Sequence, residues 1–361
     1  MKVGIVGLLF VGKTTIFNAL TKAKARTGDS DLRPKSPNKA IIKLPDERLY
    51  KLSELSRPKK VTPAEIEYID VGGLVEEEKK KKSEGQFYAT LKETDELLEV
   101  VRAFENESIV HLPGKIDPKR DIKNFDDDLM LLDLDLVERR ISRLERNIKV
   151  GKCEDREELG LLSKFRNCLE QGIPLRKLEL SSPEEKLTRG YGFLSLKPTL
   201  VLLNINEDKI GSVCQMEKEL KDCMDDDKMD ICAVCGKLEM ELSQLGEEDK
   251  RVFMQELCIE KSALDKVVRS SYRLLNLIPF FTANQNEVKA WAIESGSTAL
   301  EAAGTVHSDM AKGFIKAEVI SYEKLIELGS TAKAREKGEL RLEGKDYVVK
   351  DGDVIFFRFN V

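Results

Sequence analysis

Short apolar runs alternate with segments of helical spacing along most of this chain. Val3-Gly4-Ile5-Val6 is a compact β-branched run, and from Thr15 to Lys22 the apolar residues Ile16, Phe17, Ala19 and Leu20 recur at helical spacing. Further strand-like runs lie at Ile66 to Ile69, around Leu97 to Val101, at Thr199 to Leu203 and at Ile231 to Val234. Strands that alternate with helices predict an α/β domain built on a mainly parallel sheet, with both faces covered.

Two segments break that alternation. Met130, Leu134, Val137, Ile141, Leu144 and Ile148 follow a heptad seam, and a second apolar stripe at Leu162, Phe165 and Leu169 comes after Gly151. Residues 126–195 therefore read as an inserted helical hairpin, either a plain paired-helix arm or a partner-binding one. From about Ile278 the pattern turns to short alternating segments. Turn signals such as Lys350-Asp351-Gly352-Asp353 separate Tyr347-Val348-Val349 from Val354-Ile355-Phe356. The expected organisation is a nucleotide-binding domain at 1–125 and 196–277, the hairpin at 126–195, and a small mixed domain rich in β structure at 278–361.

Composition narrows the class. With 361 residues, 41% hydrophobic and 35% charged, the chain is long enough for two or three cores. The formal net charge of −5 gives no overall positive field to draw the molecule onto nucleic acid or anionic lipid, so any RNA contact needs a local patch. Seven cysteines, an odd count in a long chain, argue against a secreted disulfide framework and for a cytoplasmic setting. No small-residue cleavage site follows the apolar run after Met1-Lys2, and no stretch reaches the roughly 20 apolar residues of a membrane span. Neither a membrane nor DNA is an expected partner.

The chemistry concentrates near the amino terminus. Gly7-Leu8-Leu9-Phe10-Val11-Gly12-Lys13-Thr14 matches GxxxxGK[ST] between a predicted strand and a predicted helix. Backbone N–H groups and the helix N-terminus would cradle phosphates, Lys13 would add a full charge, and the Thr14 hydroxyl could ligate Mg²⁺. Asp70-Val71-Gly72-Gly73 supplies DxxG at a strand end. Asp70 would steady the metal from its second shell, and the Gly73 amide could sense the γ-phosphate. The next residue, where switch GTPases often carry a water-orienting glutamine, is Leu74, which can neither donate nor accept a hydrogen bond.

Asn204-Ile205-Asn206-Glu207 stands where guanine-specific proteins carry NKxD, with the lysine missing and the carboxylate one methylene longer. Strict guanine selection is therefore weakened. Cys232 and Cys235 form a CxxC on a predicted buried strand without a second pair at zinc spacing, which reads as buried cysteine.

Taken together these segments resemble the YchF-type Obg-like ATPase family over nearly the whole chain. The resemblance is carried by GLLFVGKTTIFNALTKA, ETDELLEVVRAFENESIVHLPGKIDP from Glu93, LDLDLVERR from Leu132, LLNINED from Leu202, and VKAWAIESGSTA and KGFIKAEVISYE to EGKDYVVKDGDVIFFRFNV near the end. It implies a P-loop GTPase-type domain interrupted by a coiled-coil arm, then a carboxy-terminal TGS domain of ubiquitin-like β-grasp form. It further implies ATP with Mg²⁺, and ATP preference through NxxE, matched by Asn204 and Glu207 with Ile205 against the adenine. Leu9, Phe10, Val11, Gly12, Lys13, Thr14, Thr15, Gly73, Cys235 and Gly236 complete the candidate nucleotide contacts. Leu74 matches the family's hydrophobic replacement of the catalytic glutamine, and His111 matches a loop histidine proposed to assist hydrolysis. Ribosomes, met through the arm and the TGS domain, and stress responses are the implied setting.

The chain departs from the family at its switches. Leu9 and Phe10 replace the usual proline and asparagine, and Pro34 aligns with the first-switch threonine that ligates Mg²⁺. Glu76 to Gly85 carries Glu and Lys four apart, a pattern that favours helix where the family has glycines. The expectation is retained nucleotide binding with weakened or altered hydrolysis. Two other readings stay open at this point: a GTPase of the same fold, and a ribosome- or RNA-binding module with degenerate hydrolysis.

Overall fold

The structure is a computed structural model that describes residues 1–21, 37–44, 46–71, 87–107, 109, 111, 114–149, 156–256 and 262–360. Gly73, Leu74, Pro34 and the charged 76–85 segment lie outside the described residues. Strands among the described residues, in chain order, are β1 (Lys2–Val6), β2 (Asn38–Lys43), β3 (Lys60–Thr62), β4 (Glu65–Asp70), β5 (Glu96–Ala103), β6 (Thr199–Ile205), β7 (Met229–Val234), β8 (Leu277–Ala283), β9 (Glu287–Glu294), β10 (Phe314–Ser321), β11 (Arg341–Glu343) and β12 (Asp353–Phe359). The chain forms two compact units, Met1–Ala40 with Glu67–Ser270, and Ile41–Ile66 with Ser271–Val361.

The first unit holds a sheet in the order β2-β4-β1-β5-β6-β7. β1 lies between β4 and β5 and pairs in parallel with both, β5 pairs in parallel with β6, and β6 with β7. Every residue of β5, β6 and β7 is buried, as expected of strands covered on both faces. The expected parallel α/β sheet is therefore present, and the carboxyl ends of β1, β4, β5, β6 and β7 share one edge. In such sheets that edge is where ligands bind.

The heptad seam lies on a helix that runs from Pro118 to Lys149 and packs on the Arg156–Glu170 helix. Met130, Val137, Ile141 and Leu144 meet Leu161, Leu162, Phe165 and Leu169 in one buried cluster. The first helix starts before the expected 126 because its opening turns serve another core. Proline suits its first position, and Phe125 and Leu129 pack with Val6, Leu91 and Leu97 of the sheet domain. At the foot of the arm the buried Asp133 carboxylate accepts from the Leu194 and Ser195 amides at 2.9 and 2.7 Å and from Ser195 Oγ at 2.6 Å, which fixes the returning chain.

The second unit carries a sheet in the order β11-β10-β12-β8-β9-β3. β8 and β9 form an antiparallel hairpin, β12 lies parallel to β8, and β10 runs antiparallel to β12. That arrangement is the β-grasp form the resemblance implied. β3 extends it, pairing in parallel with β9, while the Glu47–Ser56 helix buries Leu49 and Leu52 against β8 and β9. The turn expected at Lys350 to Asp353 is present, but residues 347–349 before it form no ladder with β12. Val348 makes only an isolated bridge to Thr298, and the Asp353 carboxylate accepts from the Lys350 amide at 2.9 Å and from Tyr347 Oη at 2.8 Å. The Asp353 amide donates to the Lys350 carbonyl at 3.1 Å, and the Asp353 carboxylate reinforces the turn that this backbone bond closes.

Candidate nucleotide-binding site

Between β1 and the Lys13–Thr21 helix the chain makes a loop that needs unusual backbone angles: Gly7 at φ 135°, Phe10 at 61° and Gly12 at 97°. A Cβ on Gly7 would lie 2.3 Å from the Val100 carbonyl oxygen, and one on Gly12 would lie 2.3 Å from Asn204 Nδ2. Glycine is therefore required at both positions by space as well as by φ. Phe10 carries the strain of a positive φ without being glycine, and the residue is 47% exposed where it lines the cavity. Leu9 is not among the cavity residues, whereas buried Val11 serves through its carbonyl.

Lys13 is buried, and its ammonium donates to the carbonyls of Gly7 at 3.1 Å and Leu8 at 2.5 Å. The Thr14 hydroxyl donates to Asp70 Oδ2 at 3.1 Å. A hydroxyl and a carboxylate at the head of a helix are hard oxygen donors, the kind a Mg²⁺ ion takes when phosphate oxygens and water fill its other positions. Among the described residues no cluster of three or more carboxylate, histidine or cysteine side chains forms a separate metal site.

The cavity in front of this loop measures about 640 Å³ and is lined by Phe10, Gly12 to Thr15, Phe104 to Asn106, Ile109, Asn204 to Asp208, Cys235 and Lys237. Asn204, 6% exposed, donates from Nδ2 to the Val11 carbonyl at 2.9 Å and accepts at Oδ1 from the Gly236 amide at 3.1 Å. One side chain thus joins the loops after β1, β6 and β7. Ile205 adds an apolar wall, and exposed Glu207 lies 3.6 Å from Lys237 Nζ. Cys232 and Cys235 are buried as expected. Burial pushes the Cys232 thiol up to about 11 and raises that of Cys235, which leaves both poor thiolates at neutral pH.

His111 does not reach the cavity. Its side chain is buried with Nε2 3.0 Å from Asp121 Oδ2, yet neither ring nitrogen has an aligned hydrogen-bond partner among the described residues. The structure brings together the phosphate loop, Asp70, Asn204, Ile205, Glu207, Cys235 and Gly236, and leaves His111 beside the arm helix. The sequence reading missed Phe104, Glu105, Asn106, Ile109 and Asp208. Their signal was positional, because Phe104 to Ile109 directly follows β5, whose carboxyl end opens on the same sheet edge.

A phosphate-cradling loop, a buried lysine and a threonine–aspartate pair at the carboxyl edge of a parallel sheet define a P-loop protein of the GTPase fold. Two family models agree: one described as a 50S ribosome-binding GTPase matches residues 2–137, and the YchF-type GTPase carboxy-terminal domain, described as a protein of unknown function, matches residues 277–360. The chain belongs to the YchF family. It is 43% identical over 361 residues to the ribosome-binding ATPase YchF of Haemophilus ducreyi, covering 100% of this chain and 99% of that one. It is 40% identical to the Bacillus subtilis protein of the same name, covering 99% of each. The YchF GTPase structure from Schizosaccharomyces pombe superposes with a TM-score of 0.83 at 29% identity, over 99% of this chain and 97% of that one.

Proposed function

We propose that this chain is an ATP-binding, slowly hydrolysing switch protein of the cytoplasm that acts on ribosomes. The observation that carries the nucleotide half is the Asn204 side chain, which ties the phosphate loop to the two loops that would flank a base. Lys13 would exchange its carbonyl partners Gly7 and Leu8 for phosphate oxygens, and Thr14 with Asp70 would hold Mg²⁺. A Mg²⁺ ion held there would supply neutralisation of phosphate charge. The apolar faces of Phe104 and Ile205 suit a purine, while Glu207, one methylene longer than aspartate and paired with Lys237, favours adenine over guanine.

Slow hydrolysis follows from Leu74, which cannot position water, and from Pro34, which brings no hydroxyl to the metal. A catalytic role for His111 requires its ring to leave Asp121 and reach the γ-phosphate. The ribosomal half is supported by the relatives, which are named ribosome-binding ATPases. No helix among the described residues is long and apolar enough to cross a membrane.

Calorimetric titration with ATP and GTP in the presence of Mg²⁺ tests the first half, and sedimentation with ribosomes at several salt concentrations tests the second. Tighter ATP binding that disappears in Lys13→Ala is the expected result. Tighter GTP binding identifies a GTPase, and no binding of either identifies a ribosome-binding module.

A further inference from the structure

Arg102, in β5, is 2% exposed, and its guanidinium gathers three backbone carbonyls of the loop that follows. Nε donates to the Phe104 carbonyl at 3.1 Å, Nη2 to the Asn106 carbonyl at 3.1 Å and Nη1 to the Ile109 carbonyl at 3.0 Å. The same cation lies 4.6 Å from the centroid of the Phe104 ring. The three residues whose carbonyls it gathers all line the cavity, as do Asn204 to Asp208. Two further ties hold this segment from without: the Glu105 amide donates to Asn206 Oδ1 at 3.1 Å, and Lys209 Nζ to the Ala103 carbonyl at 3.4 Å.

We propose that Arg102 is the positioning residue of the base-side wall: its planar fork holds the carbonyls of Phe104, Asn106 and Ile109 in place and sets the face of Phe104, so that it governs recognition of the nucleobase and leaves the grip on phosphate unchanged. The inference rests on the nucleotide reading of the cavity given above.

The physical argument is one of geometry. A segment of irregular backbone would ordinarily be ordered by turn hydrogen bonds. Here the Ile109 amide to the Asn106 carbonyl, at 3.2 Å, is a turn bond of that kind, and the guanidinium supplies the remaining order. Only arginine presents several donors in one fixed plane and can also stack on a ring, so lysine at this position keeps the charge and loses the shape. The hydrogen bonds of Lys13 to Gly7 and Leu8 and of Thr14 to Asp70 do not involve Arg102, so base and phosphate would be held by different side chains.

The test compares a ligand that has a base with one that lacks it. Wild type, Arg102→Lys and Arg102→Gln are titrated with ATP and with inorganic tripolyphosphate, each competing against a fluorescent ATP analogue in the presence of Mg²⁺. The expected result is ATP affinity about tenfold weaker in both variants, as for the loss of one charge-assisted hydrogen bond, with tripolyphosphate affinity changed less than about twofold. An unchanged ratio of the two affinities in folded variants overturns the proposal, because a merely structural arginine would weaken both ligands together. Hydrogen exchange on the wild-type chain gives a second measurement that needs no variant. ATP is expected to protect residues 104–109 and tripolyphosphate to leave them as in the free protein, and equal protection by both overturns the proposal. A wild-type chain that binds neither ligand removes the nucleotide reading itself, a result distinct from an unchanged ratio.

Discussion

Asn204 Nδ2 donates to the carbonyl of Val11 at 2.9 Å, across 193 positions of sequence. The bond explains why the loop after β6 is part of the phosphate grip: it holds the carbonyl of the residue before Gly12, while Oδ1 of the same side chain accepts from the Gly236 amide. Asn204→Ala leaves the Val11 carbonyl and the Gly236 amide without this partner in a buried place. The expected cost is about 1–3 kcal/mol of stability, read from urea unfolding, with ATP affinity falling at the same time. An alanine variant as stable as wild type would show that water or backbone movement replaces the side chain.

Gly12→Ala tests the other side of that contact. The added Cβ would sit 2.3 Å from Asn204 Nδ2 on a backbone at φ 97°. The loop must then deform, with a cost of order 1–3 kcal/mol at a strained backbone position and loss of measurable ATP binding. Gly160→Ala, on the arm helix with no heavy atom within 4 Å of the new Cβ, serves as the control and is expected to leave binding unchanged.

Much of this site was readable from sequence, and the reasons differ from residue to residue. The phosphate loop was legible because eight consecutive residues fix a backbone path between a strand and a helix, so that Lys13 and Thr14 follow from spacing alone. Asn204 was legible as a site residue, but the bond that matters joins it to Val11, a long-range contact no local pattern records. Arg102 and Phe104 were missed because apolar and basic residues at a strand end look alike whether they face a core or a ligand. β3 was missed as well. Its three residues, Lys60 to Thr62, have no apolar alternation, and only pairing with β9 makes them a strand. The turn before β12 was legible in Lys350-Asp351-Gly352-Asp353, whereas the Asp353 carboxylate contacts to Lys350 and Tyr347 that reinforce it leave no local pattern.

The buried carboxyl of Glu99 gives the chain a pH dependence of defined sign. Burial chiefly, with Asp126 and Asp121 in support and Arg176 in opposition, raises its pKa well above the ordinary glutamate value. Its Oε2 has no hydrogen-bond partner among the described residues. The folded state therefore holds this proton more tightly than the unfolded chain. The contribution to stability is complete below the ordinary glutamate pKa and declines as pH rises through the raised one. Glu99→Gln mimics the protonated acid, so the variant is expected to lose less stability than wild type between pH 5 and pH 8. Parallel stability curves for the two proteins would mean that Glu99 ionises at no cost.

Arg176 anchors the end of the arm. Its side chain is 1% exposed and donates to Asp126 Oδ1 at 3.0 Å, to Asp126 Oδ2 at 2.5 Å and to Asp226 Oδ2 at 2.7 Å. The arginine thereby ties the chain leaving the hairpin to the hairpin's first helix and to the loop before β7. Three charges held out of water support one another only as a set. Removing the cation leaves Asp126 and Asp226 facing each other near Glu99, and Arg176→Met is expected to cost about 3–5 kcal/mol. Adding Asp126→Asn and Asp226→Asn removes the uncompensated charge and is expected to restore a large part of that loss, since an amide keeps the shape without the desolvation penalty of a carboxylate. Denaturant melts of the single and triple variants decide the point. If the triple variant is no more stable than Arg176→Met alone, the arginine acts by packing and the charges around it are incidental.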